Sequence, residues 1–179
     1  AIADDDTWVP LRGGAGELLV KRGALVRYRE WYGCKPGEPN AGLKLDAEEV
    51  AKGIKQREAG ESVDEVLSVA DPSMWKEDGG PSIAERMIRA LPGNSGPRFR
   101  PADNTRVTGW QQVRARINGE DGHPLLFVTE DCVDWWRTVP ALQHDRNRIE
   151  DVDTDGEDHA GDDTRYACMA RPVSRNVKP

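Results

Sequence analysis

The 179-residue sequence predicts a layered α/β domain, on three observations. Short apolar segments of strand character alternate with longer segments of helical periodicity, which is the order that α/β folds produce. Glycine and proline stand at the ends of these segments, where the chain has to turn. Apolar residues make up 37% of the chain, which is enough for one hydrophobic core.

The first part of the chain, residues 1–23, predicts a loop. Asp4, Asp5 and Asp6 and the glycine-rich stretch at 13–16 form turns readily and contribute little to a core. We therefore expect regular structure to begin after this segment.

Three short segments predict strands. Residues 24–32 are rich in β-branched and aromatic side chains, and 66–70 and 125–128 are short apolar runs. Pro72 ends the second of these strands, because proline cannot donate a ladder hydrogen bond.

Helical periodicity predicts five helices, which cover residues 46–59, 81–91, 104–118, 131–139 and 158–170. The first has the clearest start, since Asp46 is a good N-cap and Glu49 completes a capping box. Gly60 marks its end. The side chains predicted on the buried stripes of the first three helices are Ala47, Val50, Ala51, Ile54, Ile83, Met87, Leu91, Val107, Trp110, Val113 and Ile117.

Composition excludes several classes of protein. No apolar run is long enough for a membrane span, and no basic-then-apolar signal peptide begins the sequence. Cys34, Cys132 and Cys168 are an odd number at wide spacing, which argues against a disulfide framework or a zinc site and favours a reducing cytoplasm. The absence of a GxxxxGK[ST] motif excludes a P-loop motor.

Charge is distributed unevenly along a chain whose net charge is −7. Residues 98–116 carry five arginines, whereas residues 145–163 carry nine acids and two arginines. A metal-dependent nuclease has this layout, because arginines can contact phosphate and acids can bind divalent cations. Two solvated surface segments remain the alternative. The arginines predicted to contact DNA phosphates are Arg98, Arg100, Arg106, Arg114 and Arg116.

Asp71 is the first candidate site residue. It follows Leu67 and Val69 at a spacing of two, so it lies on the same face as two apolar residues, at the point where the strand ends. Ligands collect at strand ends in open α/β sheets. An aspartate before proline is also a common turn former, and this alternative stays open.

The second candidate is Asp162, on the last predicted helix. At 3.6 residues per turn it shares a face with His159, Tyr166 and Met169. A carboxylate on an inward stripe is costly unless it is paired or binds a metal. Asp163 lies on a different face of the helix, where its negative charge could stabilise the helix N-terminus. Asp163 and His159 are therefore weaker candidates for metal ligands.

Together, Asp71 and Asp162 suggest a two-metal phosphodiesterase. Two Mg²⁺ or Mn²⁺ ions can activate a water and stabilise the leaving oxygen, and carboxylates suit these hard cations. The alternative for the acidic segment is a calcium loop over 151–162, which reads D-x-D-x-D-G with Asp162 twelfth. Such loops carry Glu at that position, and Pro140 interrupts the entering helix.

Seven segments between residues 24 and 172 occur in an order and spacing that resemble one family. They are ALVRYREWYGC (24–34), LKLDAEEVAKGI (43–54), VADPSMW (69–75), GGPSIAERM (79–87), ADNTRVTGWQQVRARI (102–117), LLFVTEDCVDWWRTVPALQHD (125–145) and DVDTDGEDHAGDDTRYACMARP (151–172). These segments resemble the nuclease half of the large subunit of tailed-phage terminases. DPSMW and HAGDDTRYACM are the most specific.

The resemblance implies a ribonuclease-H-like fold, with a mixed central sheet flanked by helices. It implies a DNA endonuclease that uses two Mg²⁺ or Mn²⁺ ions to cut concatemeric DNA during genome packaging in the bacterial cytoplasm. The family's second aspartate falls on Asp71 and its third on Asp162, within H-x-x-D-x-x-R-Y. The implied partners are double-stranded DNA, the terminase motor domain, the small terminase subunit and the portal protein.

The sequence departs from the family at one point, since no aspartate followed by an aromatic residue and glycine precedes residue 24. We therefore expect the first strand and first catalytic aspartate to be missing, and the isolated chain to bind metal weakly and cleave poorly. The expected organisation is a remnant loop at 1–23, the nuclease domain at 24–172 and a tail at 173–179. A catalytically incomplete DNA- or portal-docking module is the alternative function.

Overall fold

The computed structural model describes residues 1–35, 38, 41–60 and 68–173. The chain divides into two compact units. The middle unit is Gly33–Asn104, and the terminal unit combines Ala1–Tyr32 with Thr105–Pro179. The expected nuclease domain over 24–172 includes residues of both units. Of the expected tail, all but Val173 lies outside the described residues.

The predicted α/β class is confirmed, with five α-helices and six short strands in the described part of the chain. In chain order the elements are β1 (Thr7–Pro10), β2 (Glu17–Val20), β3 (Leu25–Arg27), α1 (Ala47–Glu58), β4 (Val69–Ala70), α2 (Ile83–Arg89), β5 (Arg100–Pro101), α3 (Arg106–Asn118), β6 (Leu126–Val128), α4 (Val133–Thr138) and α5 (His159–Ala170).

The strands form three separate two-stranded sheets: antiparallel β1–β2, parallel β3–β6 and parallel β4–β5. Among the described residues, a single central sheet of the ribonuclease-H type is not present. All five helices lie where the periodicity places them, within two residues at each end. None of the helices that the structure describes combines the length and apolar character needed to cross a membrane.

The N-terminal segment is a β-hairpin rather than the predicted loop. Trp8 pairs with Leu19 across it, and the glycine-rich stretch makes the turn, where Gly13 and Gly14 adopt positive φ angles of 78° and 74°. Glycine adopts this region without the steric penalty of a Cβ atom. Because β1 is exposed on both faces, its sequence lacks the alternation that marks a half-buried strand.

In the terminal unit, α3 and α5 pack beside the β3–β6 pair. Leu25 lies opposite Leu126, and β3 covers only the start of the predicted strand at 24–32. The buried side chains of this core are Leu25, Trp110, Val113, Val152 and Cys168. A second cluster joins α4 to α5, where the Trp135 indole donates a 2.9 Å hydrogen bond to Thr164.

In the middle unit, α1 and α2 pack through Ala47, Ala51 and Met87. The predicted capping box at Asp46 and Glu49 is present. A second one, formed by Ser82 and Glu85, starts α2 two residues later than the helix predicted from Pro81. Both boxes satisfy backbone amides that have no partner within the helix.

The buried faces of three helices differ from the predicted stripes. Ile83, Val107, Ile117 and His159 are exposed. On α3 and α5 the predicted Trp110, Val113 and Tyr166 are buried. They share the inward faces with small and polar residues, which are Gly109, Arg116, Ala160, Gly161, Thr164 and Arg165. The spacing of apolar residues cannot identify such a face, because the packing of the face depends on close approach of the helices and on buried hydrogen bonds.

Candidate functional site

Asp71 lies in the middle unit, directly after β4. Its Oδ1 accepts the amide of Ser73 at 2.8 Å, which makes Asp71 the N-cap of a short 3₁₀ turn, Pro72–Trp75. The strand-end position and the turn-forming role are therefore both present. Leu67, which was predicted to share a strand face with Asp71, lies outside the described residues.

Asp162 lies in the terminal unit, in the first turn of α5, with 24% of its side chain exposed. Arg165 approaches its Oδ1 with Nε and Nη2, each at 3.1 Å, and Nη1 of Arg106 lies 3.5 Å from the same oxygen. Each of these contacts ends on Oδ1. The carboxylate is thus oriented by two guanidinium groups through one of its oxygens.

Arg106 connects Asp162 to two further aspartates. Its Nε lies 2.9 and 3.0 Å from the carboxylate oxygens of buried Asp151, and its Nη1 lies 3.9 Å from Asp158. Burial raises the pKa of Asp151, but the amide of Val152 and the Arg106 guanidinium outweigh burial and leave that pKa lowered. Asp158 has a raised pKa, because it is buried and lies near the negative charge of Asp162.

The two weaker metal candidates have other partners. Asp163 is 64% exposed and pairs with Arg27, while His159 is exposed with Nδ1 3.8 Å from Asp158. Arg27 also contacts Glu30, whose buried carboxylate accepts the amides of Asp134 and Trp135 at the start of α4. Neither Arg27 nor Glu30 could be identified from the sequence, because charged residues inside a strand-like segment give no sign of their partners.

The arginines that were predicted to contact DNA differ in their exposure to solvent. Arg98 and Arg100 of the middle unit and Arg114 of the terminal unit are exposed. Arg116 is only 3% exposed, and it donates to the carbonyls of Gly23, Leu125 and Arg171. Burial also lowers its pKa.

This geometry corrects two of the five predicted phosphate contacts. Arg116 is a structural residue, because its guanidinium is enclosed by backbone carbonyls. Arg106 is held by aspartates, so its charge is already compensated within the protein. Arg116 is therefore not available for a phosphate contact, and Arg106, with 27% of its side chain exposed, is already engaged by carboxylates.

The donor chemistry of Asp71 and Asp162 suits Mg²⁺ or Mn²⁺, which prefer carboxylate oxygens. Within the described ranges, no group of three or more His, Cys, Asp or Glu side chains is placed to hold a metal ion. The two aspartates belong to different units.

The calcium-loop alternative meets specific obstacles in the structure. Both carboxylate oxygens of Asp151, the first residue of that loop, face Arg106. Asp153 accepts the amide of Asp155 through Oδ1. Residues 142–150, directly before the loop, are described and contain no helix, whereas an EF-hand loop is entered from one.

No protein-family model, no curated protein and no solved structure matches this chain. Function is therefore inferred from the chain's own residues and their contacts.

Proposed function

We propose that this chain is the nuclease domain of a phage or prophage terminase large subunit. It is a metal-dependent DNA endonuclease that cuts concatemeric DNA during genome packaging. The observation that carries the proposal is Asp162 within H-x-x-D-x-x-R-Y, a partly exposed carboxylate fixed through Oδ1 by two arginines. The position of Asp71 at the end of β4 supports it.

In this proposal Asp71 and Asp162 are each assigned as a carboxylate ligand of a divalent cation. When bound, Mg²⁺ or Mn²⁺ ions activate a water and stabilise the leaving oxygen of the phosphodiester. The protein contributes carboxylate oxygens, of which Oδ1 of Asp162 accepts the hydrogen bond from Arg165 and Oδ2 is assigned to the cation. Exposed arginines contact the DNA backbone, and the residues we assign to this role are Arg98, Arg100 and Arg114.

The proposal extends to partners and location. The substrate is double-stranded DNA, and the chain works with the terminase motor domain, the small terminase subunit and the portal protein in the bacterial cytoplasm. Because no residue of this sequence matches the family's first aspartate, we expect weak cleavage from the chain alone.

The test is nicking of supercoiled plasmid in Mn²⁺, Mg²⁺, Ca²⁺ or EDTA. The chain is compared with a fusion that adds a strand carrying the family's first aspartate. We expect the fusion to cleave in Mn²⁺ or Mg²⁺ and not in EDTA. Asp71→Asn or Asp162→Asn should reduce its rate by about 100-fold or more, because each removes a direct metal ligand.

Asp155→Asn is the matched control, since it makes the same charge change at an exposed position of the acidic loop. Unchanged cleavage by the Asp71 and Asp162 variants would show that the site is elsewhere. DNA binding without cleavage by either protein, in any metal, would favour the docking module instead.

A further inference from the structure

Arg165 is the most deeply buried charged residue that contacts the candidate site. It is 1% exposed, and Nε and Nη2 both approach Oδ1 of Asp162 at 3.1 Å. Its guanidinium carbon lies 4.6 Å from the ring centroid of Tyr166, which adds a cation–π contact. The guanidinium therefore has a defined position before any ligand binds.

A glycine on the neighbouring helix makes room for this arginine. A Cβ atom at Gly109 of α3 would lie 2.4 Å from Cγ and 2.7 Å from Cδ of Arg165. Real Cβ atoms do not approach other atoms so closely, so any larger residue at 109 would displace the arginine stem. The positions of Gly109 and Arg165 thus depend on each other.

Burying this charge is unfavourable for stability. Nη1 of Arg165 has no hydrogen-bond partner among the described residues, although it is fully buried. A buried donor without a partner destabilises a fold, and a well-packed apolar side chain of similar volume often serves stability better. Helix packing alone therefore does not explain an arginine at position 165.

Arg106 approaches the same oxygen from α3. Its Nη1 lies 3.5 Å from Oδ1 of Asp162, while its Nε is held by Asp151. With both arginines directed at Oδ1, the rotation of the Asp162 carboxylate is restricted. The second oxygen, Oδ2, is kept in a fixed direction.

We propose that Arg165 is a positioning residue, which holds the Asp162 carboxylate so that Oδ2 is presented to a divalent cation. This role rests on the proposed function, because it requires Asp162 to be a metal ligand. Residues that orient ligands in this way typically contribute 10- to 100-fold to metal affinity.

The test is Mn²⁺ affinity, measured by electron paramagnetic resonance of the free ion, together with urea unfolding of each variant. We expect Arg165→Lys and Arg165→Met to bind Mn²⁺ about 10- to 100-fold more weakly, because neither reproduces the paired Nε and Nη2 contacts. Asp162→Asn should lose at least as much Mn²⁺ affinity. Arg116→Lys is the matched control, since it alters another buried arginine that contacts only backbone carbonyls. It should lower stability and leave Mn²⁺ affinity unchanged.

A second measurement needs no variant of Arg165 and covers the case in which those variants do not fold. Mg²⁺ is titrated into the unaltered protein while the Nε–H resonance of Arg165 is followed by nitrogen-15 NMR. We expect the resonance to shift in the unaltered protein and to stay in place in Asp162→Asn.

The outcomes distinguish the positioning role of Arg165 from the proposed metal-binding role of Asp162. Normal Mn²⁺ affinity in the Arg165 variants, with loss in Asp162→Asn, would overturn the positioning role and leave the proposed metal site intact. Normal affinity in Asp162→Asn would remove Asp162 from the metal site and overturn both. An Nε–H resonance of Arg165 that does not shift when Mg²⁺ is added would also overturn the positioning role.

Discussion

Hydrogen bonds of individual side chains connect the acidic segment around Glu157 to α4. Glu157 accepts the Tyr32 hydroxyl at 2.9 Å, and Arg137 donates to its two carboxylate oxygens at 2.6 and 2.8 Å. Arg137 also bonds Asp134 within α4, so one guanidinium joins the loop to the helix. The Arg137 hydrogen bonds, followed by that from Tyr32, lower the pKa of Glu157.

This pairing should make part of the stability depend on pH. Because the pKa of Glu157 is lower in the folded state than its ordinary value of 4.5, its contribution is complete above about pH 4.5. The contribution is lost as pH falls through the lower, folded-state value. We expect Glu157→Gln to destabilise the protein by on the order of 1 kcal/mol at pH 7, since Arg137 is half-exposed and solvent screens the pair. The difference from the unaltered protein should narrow as the pH falls towards 3.

Urea unfolding at pH 7, 4.5 and 3 measures this dependence. Glu150→Gln removes an exposed acid of the same loop and should change stability little at each pH. A Glu157→Gln deficit that stays constant down to pH 3 would mean that the carboxylate charge contributes nothing.

The roles of individual arginines could not be predicted from sequence. Arg106, Arg114 and Arg116 share one helix and look alike in the sequence, yet the first pairs with aspartates, the second faces solvent and the third bonds carbonyls. These roles depend on which distant backbone or acid lies opposite each side chain. The sequence contains no local signal for that.

At the scale of elements, capping decides where α1 and α2 begin. The box at Asp46 was predictable because its two residues are three positions apart and need no distant partner. The β1–β2 hairpin was not predictable, since its strands are exposed and its turn residues look like loop. The buried faces of α3 and α5 were predicted in part, since Trp110, Val113 and Tyr166 are buried, and the glycine and arginine positions on these faces were missed.

Removing the cap of α1 should weaken the middle unit. Asp46→Ala leaves the amide of Glu49 without its side-chain acceptor, and we expect a loss of about 1 kcal/mol in unfolding free energy. Urea unfolding followed by circular dichroism measures it. Lys52→Ala, at an exposed position of the same helix, should cause no loss, because alanine is the better helix former. Equal stability of Asp46→Ala and the unaltered protein would contradict the assigned role of the cap.

At the scale of the whole molecule, the net charge of −7 opposes DNA binding, so the proposed DNA contact requires local arginines. Arg98→Ala and Arg114→Ala remove exposed cations, whereas Arg116→Lys alters a buried one. We expect each exposed-site variant to reduce the slope of log K against log salt by about 0.9 for each phosphate contact that is lost. The Arg116 variant should keep the slope of the unaltered protein.

Fluorescence anisotropy with a labelled duplex at several salt concentrations gives these slopes. Identical slopes for the unaltered protein and the exposed-site variants would exclude Arg98 and Arg114 as phosphate contacts. A smaller slope for Arg116→Lys, with folding retained, would contradict the structural role assigned to that residue.

The candidate site was predictable only in its parts. Asp71 could be identified from the end of its strand, and Asp162 from its place on a helix. The two residues belong to different units, and the hypothesis that they act together rested on their carboxylate chemistry and on the family resemblance. Arg165 was visible within the motif, but its positioning role depends on Gly109, which is far away in sequence.

The pairing of β3 with β6 sets an order of events during synthesis. The middle unit is one continuous segment, so all of its partners leave the ribosome together and it can form early. β3 leaves the ribosome before that segment, and β6 leaves after it. The edge of β3 that faces β6 therefore stays unpaired, and its apolar side chains stay uncovered, while the middle unit is being made. Leu25–Arg27 can therefore reach its paired state only after β6 has been synthesised.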